Sequence, residues 1–517
     1  MVKLVRHPQT KGRETDRLHL SHRATSRLYP IFDAAGASNY QADRLTPVRP
    51  PHQPQLSRFF LIRPAMKRIC CLVFPILSLI AVRSVDARPN FVVIFTDDQT
   101  YRAIGYNNPQ VKTPALDRLA ADGVIFDHAY IASPICGASR ASMMTGLFPQ
   151  QHGCIALNTS SFIKNVSQEK YRTLPQYLRK AGYLTALFGK SNLGDPQAYG
   201  FQEGQESNDV HDRAPFEFSK KFLSQRANDK QSFLLWLAPR QPHVPLIPNQ
   251  KWLDLYNVAS LDPDPNYRES PPKASFFNQG IPGQHYYRDS EFTWNWKGLS
   301  AGPPRSEEVI RDFTKAYYAT ISHLDHQIGE VVTQLKSTGL YDDTVIIFLS
   351  DNGYHLGNHG LGNKITMHEE SVRVPMFICY RKLIPANTRS DALVSSLDVL
   401  PTILALAGVE LPHGLSGKSL LSVLTNPKQK VREYVASECV GLDGKKGTGH
   451  RMVRTKRWKY MLSGTGEEAL FDQQNDVYEQ TNLAKSDEHH ETLNSLRAAM
   501  SEWMDDVNDG HDRPPGT

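Results

Sequence analysis

Four short, continuously apolar and β-branched runs in this chain each end abruptly in charged or amide residues. No other feature limits the fold so strongly. Phe91-Val92-Val93-Ile94-Phe95 gives way to Thr96-Asp97-Asp98-Gln99, and Leu184 to Phe188 is followed by Gly189-Lys190. Phe233 to Leu237 leads through Pro239 to His243, and Val345 to Leu349 is followed by Ser350-Asp351-Asn352-Gly353. Runs without polar alternation predict strands buried on both faces. Helical patterns separate them, at residues 114–122, 174–181 and 313–335. Alternating strands and helices predict an α/β fold whose large, mostly parallel sheet is sandwiched by helices. Ligands of such sheets bind outside the carboxyl ends of the strands, which is where these Asp, Lys and His residues fall.

From about Lys382 the texture changes. Residues 88–381 read as the main catalytic domain, and 382–517 as its end followed by a smaller C-terminal α+β subdomain. One more helix is expected over 396–406, closed by Gly408. Short strand-like pieces follow at 434–437, 451–455 and 458–462, then a terminal helix over 489–507, so the subdomain is expected to carry an antiparallel sheet. Residues 262–304 are dense in Pro, Gly, Asn and aromatics and read as a long loop over the active face. Its Tyr and Trp either line a substrate cleft or pack the loop down.

The first 87 residues read as removable. Residues 1–65 carry a net charge of +7 and residues 66–87 a further +2, against +6 for the whole chain, so the remaining 430 residues are slightly acidic at −3. A nucleic-acid partner inferred from the overall basic balance therefore loses its basis. Residues 1–65 show no sustained period and read as a disordered or untranslated extension, with a basic arm as the alternative. Met66-Lys67-Arg68, the apolar run Ile69 to Val82 and the small residues up to Ala87 have the order of a secretory signal peptide. The apolar run is short for a bilayer span, so a stable membrane span is not expected and an N-terminal anchor is the lesser alternative. The expected location is secreted or periplasmic after cleavage near Ala87. The cysteines outside the signal, Cys136, Cys154, Cys379 and Cys439, include no C-x-x-C pair, which argues against a disulfide scaffold or a thiolate zinc site.

Asp97, Asp98, Asp351 and Asn352 offer only oxygen donors, the set suited to Ca²⁺ or Mg²⁺ rather than zinc. Either pair alone reads equally as a helix cap or a turn. Two pairs that end separate buried strands favour a cation site. Between the first strand and a following helix lies Cys136-Gly137-Ala138-Ser139-Arg140, with Thr145-Gly146 beyond it. Taken alone, Cys136 is either a core thiol or a nucleophile.

This segment resembles the signature of the type I, formylglycine-dependent sulfatases of the alkaline-phosphatase-like superfamily, in which the Cys is oxidised to formylglycine before folding. The resemblance runs along nearly the whole chain after the signal. It takes in Pro89 to Asp98, Thr113-Pro114-Ala115-Leu116-Asp117, Phe188-Gly189-Lys190, Pro242-His243-Val244-Pro245, Ser350 to Gly360 with Lys364, and Leu470-Phe471-Asp472 through Ala484. It implies a sulfuric ester hydrolase in which the hydrated aldehyde at position 136 attacks sulfur and its second hydroxyl then expels sulfate. Asp97, Asp98, Asp351 and Asn352 would hold the cation together with position 136, and Asp351 would help deprotonate the diol. Arg140 would stabilise the diol, Lys190 and Lys364 would bind sulfate, and His243 would protonate the leaving group with help from Lys364. His152 is a further pocket candidate, with His355 and His359 behind it. A formylglycine-generating enzyme is the implied maturation partner.

Two departures stand out. Ala138 replaces the commoner Pro of the modification motif, a variation some members share. Asn192 occupies the place where the lysine motif usually has a histidine that contacts sulfate, and an amide cannot carry that proton. The expected substrate is a sulfated carbohydrate, on the strength of export and the aromatic loop. The alternatives are a phosphodiesterase or phosphonate hydrolase of the same superfamily, or a catalytically impaired glycan-binding relative.

Overall fold

The computed structural model describes residues 88–155, 159–274, 276, 304–439 and 449–517. The expected extension, the signal peptide and most of the long loop after Asp262 lie outside the described residues. The strands, in chain order, are β1 (Asn90–Thr96), β2 (Gly123–Tyr130), β3 (Leu184–Gly189), β4 (Glu203–Glu206), β5 (Phe233–Ala238), β6 (Thr344–Ser350), β7 (His355–Leu356), β8 (Gly362–Asn363), β9 (Met376–Cys379), β10 (Thr388–Ser395), β11 (Val435–Cys439), β12 (His450–Arg454), β13 (Trp458–Ser463) and β14 (Glu468–Asp472).

Eight of them form one sheet in the order β10-β2-β9-β6-β1-β5-β3-β4. β9 runs antiparallel to both its neighbours, and the other pairs are parallel. β1 sits centrally, with Phe91 opposite both Leu234 of β5 and Val345 of β6. Its alternate residues serve two cores. Phe91, Val93 and Phe95 pack with helix residues Ala141, Met144, Leu174, Leu178 and Ile403 on one face. Val92 and Ile94 pack with Leu116, Leu119, Phe222, Leu324 and Ile328 on the other. Burial on both faces is why the run is apolar at every position.

The C-terminal strands β11 to β14 form a separate antiparallel sheet in sequence order. The helix His490–Asp506 covers it with Leu493, Leu496, Met500 and Trp503, an i, i+3, i+7, i+10 stripe. The expected two-part α/β architecture is therefore the observed one. β10 lies beyond Lys382 yet edges the main sheet, so the chain leaves that sheet only after Ser395. Among the described residues no helix is long and apolar enough to cross a membrane.

Candidate active site

β6, β1, β5 and β3 are adjacent in the sheet and run in the same direction. Their carboxyl ends therefore deliver Asp351-Asn352, Asp97-Asp98, the segment up to His243, and Lys190 to one place. At the end of β3 the chain must pass close to β5, since a Cβ on Gly189 would lie 2.0 Å from the Ala238 carbonyl oxygen. Only glycine lets the Lys190 amide reach that carbonyl, at 2.7 Å. Beyond β6, the Gly353 amide donates to the Ser371 carbonyl at 2.9 Å, and a Cβ there would lie 1.9 Å from the Glu370 carbonyl oxygen.

The carboxylates Asp97, Asp98 and Asp351 are at most 1 % exposed. They face the cations of Arg140, Lys190 and Lys364, all buried as well. Arg140 Nε donates to Asp351 Oδ2 at 2.9 Å, its Nη1 donates to the Lys190 carbonyl at 2.6 Å, and its Nη2 lies 3.8 Å from Asp97 Oδ2. Lys190 Nζ pairs with Asp97 Oδ2 and Lys364 Nζ with Asp98 Oδ1. Lys364 Nζ also donates to Cys136 Sγ at 2.8 Å. The Asp98 amide donates to Asp351 Oδ1 at 3.2 Å, and Asn352 Nδ2 to Asp98 Oδ1 at 2.7 Å. Two separate stretches of chain and the first residue of the helix Cys136–Thr145 thus share one cluster.

Burial raises the Asp97 carboxyl, but Lys190, His243, Arg140 and Lys364 outweigh it and hold the group well below the usual range. Asp351 moves the other way, raised by burial and by Asp97 more than Arg140 and Lys364 lower it. Burial pushes the Cys136 thiol up to about 12 despite Lys364 and Lys190. An unmodified Cys136 is therefore a protonated thiol and a poor nucleophile. His243 Nδ1 donates to the Val244 carbonyl at 2.6 Å, which leaves Nε2 directed at Asp98 Oδ2, 3.8 Å away. Burial and Lys190 lower this imidazole to about 4, which favours the neutral ring with its proton on Nδ1.

Three buried oxygens in the cluster, Asp97 Oδ1, Asp98 Oδ2 and Asn352 Oδ1, have no hydrogen-bond donor. Ligand atoms of Asp97, Asp98, Cys136 and His243 all lie within 4.8 Å of one another. Unsatisfied buried acceptors that are all oxygen fit a hard divalent cation.

His152 joins the helix rather than the carboxylates. Its Nδ1 accepts from the Cys154 amide at 3.1 Å and its Nε2 lies 2.9 Å from Ser142 Oγ, so both ring nitrogens are taken within the wall. Asn192 stands two residues beyond Lys190 in left-handed backbone (φ 54°), its backbone N–H donating to Glu206 Oε1 at 3.3 Å.

His355 and His359 fall in a second buried group. His359 Nε2 is 3.8 Å and His355 Nδ1 4.0 Å from Glu370 Oε2, and the His359 and His368 rings are 4.3 Å apart. Next to it, Lys459 bridges Glu369 (3.1 Å) and Glu479 (2.7 Å), and Tyr130 donates to Glu369. His359, His368 and Glu479 also converge closely enough for a metal. Both Glu479 oxygens already have donors, however: Lys459 and Gln473 on Oε1, and the Glu369 amide on Oε2.

Three supports of the site went unnoticed in the sequence. The Tyr317 hydroxyl donates to the Asp98 carbonyl and accepts from the Thr100 amide. The Gln241 carbonyl accepts from the Asp97 amide at 3.3 Å. Asp212 accepts from the amides of Arg240 and Gln241. An Asp just ahead of a helical stretch signals a cap, and nothing local signals that its carboxylate turns to another strand end.

Comparison with known proteins agrees with this geometry. Residues 89–409 match the sulfatase family, and residues 357–506 match the C-terminal region of N-sulphoglucosamine sulphohydrolase. An N-acetylglucosamine-6-O-sulfatase of Bacteroides thetaiotaomicron is 28 % identical over 82 % of this chain and 87 % of its own length. A solved structure holding its substrate D-glucosamine-2-N,6-O-disulfate superposes with a TM-score of 0.69 at 23 % identity, covering 83 % of this chain and all of the other. A phosphonate monoester hydrolase from Silicibacter pomeroyi gives 0.67, also at 23 % identity, over 82 % of this chain and 96 % of its own. At that identity the two structures speak for the fold. The family match spans well over half of the sequence and contains every strand end that feeds the carboxylate cluster, so the chain belongs to the sulfatase family and is a sulfuric ester hydrolase.

Proposed function

We propose that this protein removes sulfate from a sulfated carbohydrate, with Cys136 matured to formylglycine and Asp97, Asp98, Asp351 and Asn352 holding a Ca²⁺ ion. The observation that carries the reading is the trio of donorless buried oxygens beside the position-136 side chain. Formylglycine at position 136 would supply a hydrated aldehyde as nucleophile, and the cation would fix and polarise the oxygens around it.

The chain's own groups supply the rest. Arg140, pinned by Asp351 and the Lys190 carbonyl, holds positive charge under position 136. Lys190 and Lys364 bring two ammonium groups to where anionic sulfate oxygens would sit, and Lys364 is already within reach of the 136 side chain. Once its ring carries a second proton, His243 presents Nε2 as donor to the departing alkoxide, its other nitrogen locked on a carbonyl. Asn192, two residues beyond Lys190, completes the expected substrate wall. The carbohydrate substrate is supported by the relatives, among them the N-acetylglucosamine-6-O-sulfatase above and an ulvan-active sulfatase of Formosa agariphila. Export after cleavage near Ala87, a catalytic body over 88–381 and a closing segment over 382–517 belong to the same reading, as does maturation by a formylglycine-generating enzyme.

Expression with that enzyme, followed by mass spectrometry of the Cys136 peptide, tests the reading alongside sulfate release from sulfated sugars and hydrolysis of a phosphodiester. A peptide lighter than the cysteine form, with sulfate released in preference to phosphodiester hydrolysis, is expected. An unmodified thiol without sulfate release overturns the proposal.

A further inference from the structure

The segment that delivers His243 is fastened from outside the carboxylate cluster. We propose that Asp212 is a positioning residue for the proton donor, clamping the turn just ahead of His243 so that the imidazole stays over Asp98. The inference rests on the sulfatase reading and on His243 as the donor.

Asp212 is fully buried. Its Oδ1 accepts from the Arg240 amide and its Oδ2 from the Gln241 amide, both at 2.8 Å. Although it immediately precedes the helix Arg213–Arg226, its side chain makes no capping bond to that helix. It holds left-handed backbone (φ 52°) while its carboxylate faces the end of β5. Burial raises this carboxyl to about 7 against the pull of the two amides, so the group is costly to keep where it is.

The clamp connects to the imidazole by short steps. The His243 amide donates to the Arg240 carbonyl at 2.9 Å, closing the turn. Arg240 Nη2 donates to the Val244 carbonyl at 2.5 Å, the same oxygen that receives His243 Nδ1–H. Asp212 thereby holds the backbone of the residue whose guanidinium fixes the carbonyl that orients the ring. Gln241, the second clamped residue, passes its carbonyl to the Asp97 amide. Asp212→Asn keeps the shape but sets an amide N–H against a backbone N–H, which opens one arm of the clamp.

The test separates positioning from general support by leaving group. Nitrophenyl sulfate departs with little need of a proton, whereas a sugar sulfate leaves as an alkoxide and needs one. In matured, cation-loaded enzyme, Asp212→Asn is expected to lower kcat/KM on the sugar sulfate by ~10–100-fold and on nitrophenyl sulfate by less than ~3-fold. Cation content should be unchanged, and in a His243→Ala background the substitution should add no further loss on the sugar ester. Equal loss on both esters, or loss on neither, overturns the clamp. Wild-type enzyme that frees sulfate from neither ester overturns the underlying reading and the clamp with it. Should the Asn variant fail to fold, Asp212→Glu keeps both acceptors one methylene displaced. It must then show the same substrate bias at smaller size, and a uniform loss sinks the proposal.

Discussion

Two clusters of buried charge lie in this molecule, and their accounts of hydrogen-bond partners differ. Around Lys459, a residue with no solvent exposure, every carboxylate oxygen of Glu369 and Glu479 has a donor: Lys459 on one oxygen of each, Tyr130 on Glu369 Oε2, and Gln473 and the Glu369 amide on Glu479. That cluster ties β13 of the C-terminal sheet to the turn that follows Lys364, and it is complete. Around Asp97, Asp98 and Asn352 the same kinds of residue, equally buried, leave three oxygens over. Buried charge alone therefore does not mark a site. Three acceptor oxygens without donors, gathered in one cluster of carboxylates and an amide, set the second cluster apart from the first.

The comparison breaks most visibly at the proposed cation ligands. Asp97→Asn and Asp98→Asn should each lower sulfate release by ~10³-fold or more and remove the bound divalent ion seen by elemental analysis. Chelation of the wild type should mimic them and added Ca²⁺ should reverse it. A variant that keeps both ion and turnover would make the two clusters alike. Next comes Lys459→Met, which strands two buried carboxylates and should cost about 3–5 kcal/mol in denaturant unfolding while the folded fraction keeps its kcat.

The smallest effect concerns Glu370, whose carboxyl burial and Glu479 raise from 4.5 to about 8. A raised acid holds its proton in the folded state, so wild-type stability falls as pH climbs from 4.5 through 8. Glu370→Gln retains the oxygen that accepts from Asn266 Nδ2 and removes the buried charge. Its thermal midpoint should match wild type near pH 5 and exceed it near pH 8.5, by roughly 1–3 kcal/mol of stability. A constant difference across that range would assign the effect to packing.

The sheet was legible in the sequence because burial on both faces writes itself as unbroken apolar runs, and the β1, β3, β5 and β6 expectations match the strands within a residue or two. The convergence of Asp97, Asp98, Asp351 and Asn352 was legible because they directly follow those runs. What stayed hidden depends on contacts without local signature. Glu369 meets Lys459 across 90 residues, and Asp212 turns from its own helix to the β5 end. His152 is a pocket candidate in the sequence, but burial lowers it to about 3 and its ring is consumed by Ser142 and Cys154. β9, reversed between parallel neighbours, was not foreseen, since a four-residue apolar strand carries no mark of direction.

The bare backbone of residue 353 has a consequence of its own. The turn carrying Asp351 and Asn352 rests directly on the peptide of Glu370, with no side chain between as a cushion. A single methyl group at that point would be transmitted as a shift of Asp351 and Asn352 on one side and of the Glu369–Lys459 anchorage on the other. The small C-terminal sheet, anchored through Lys459 to Glu369, thereby props the floor on which the Asp351 turn rests.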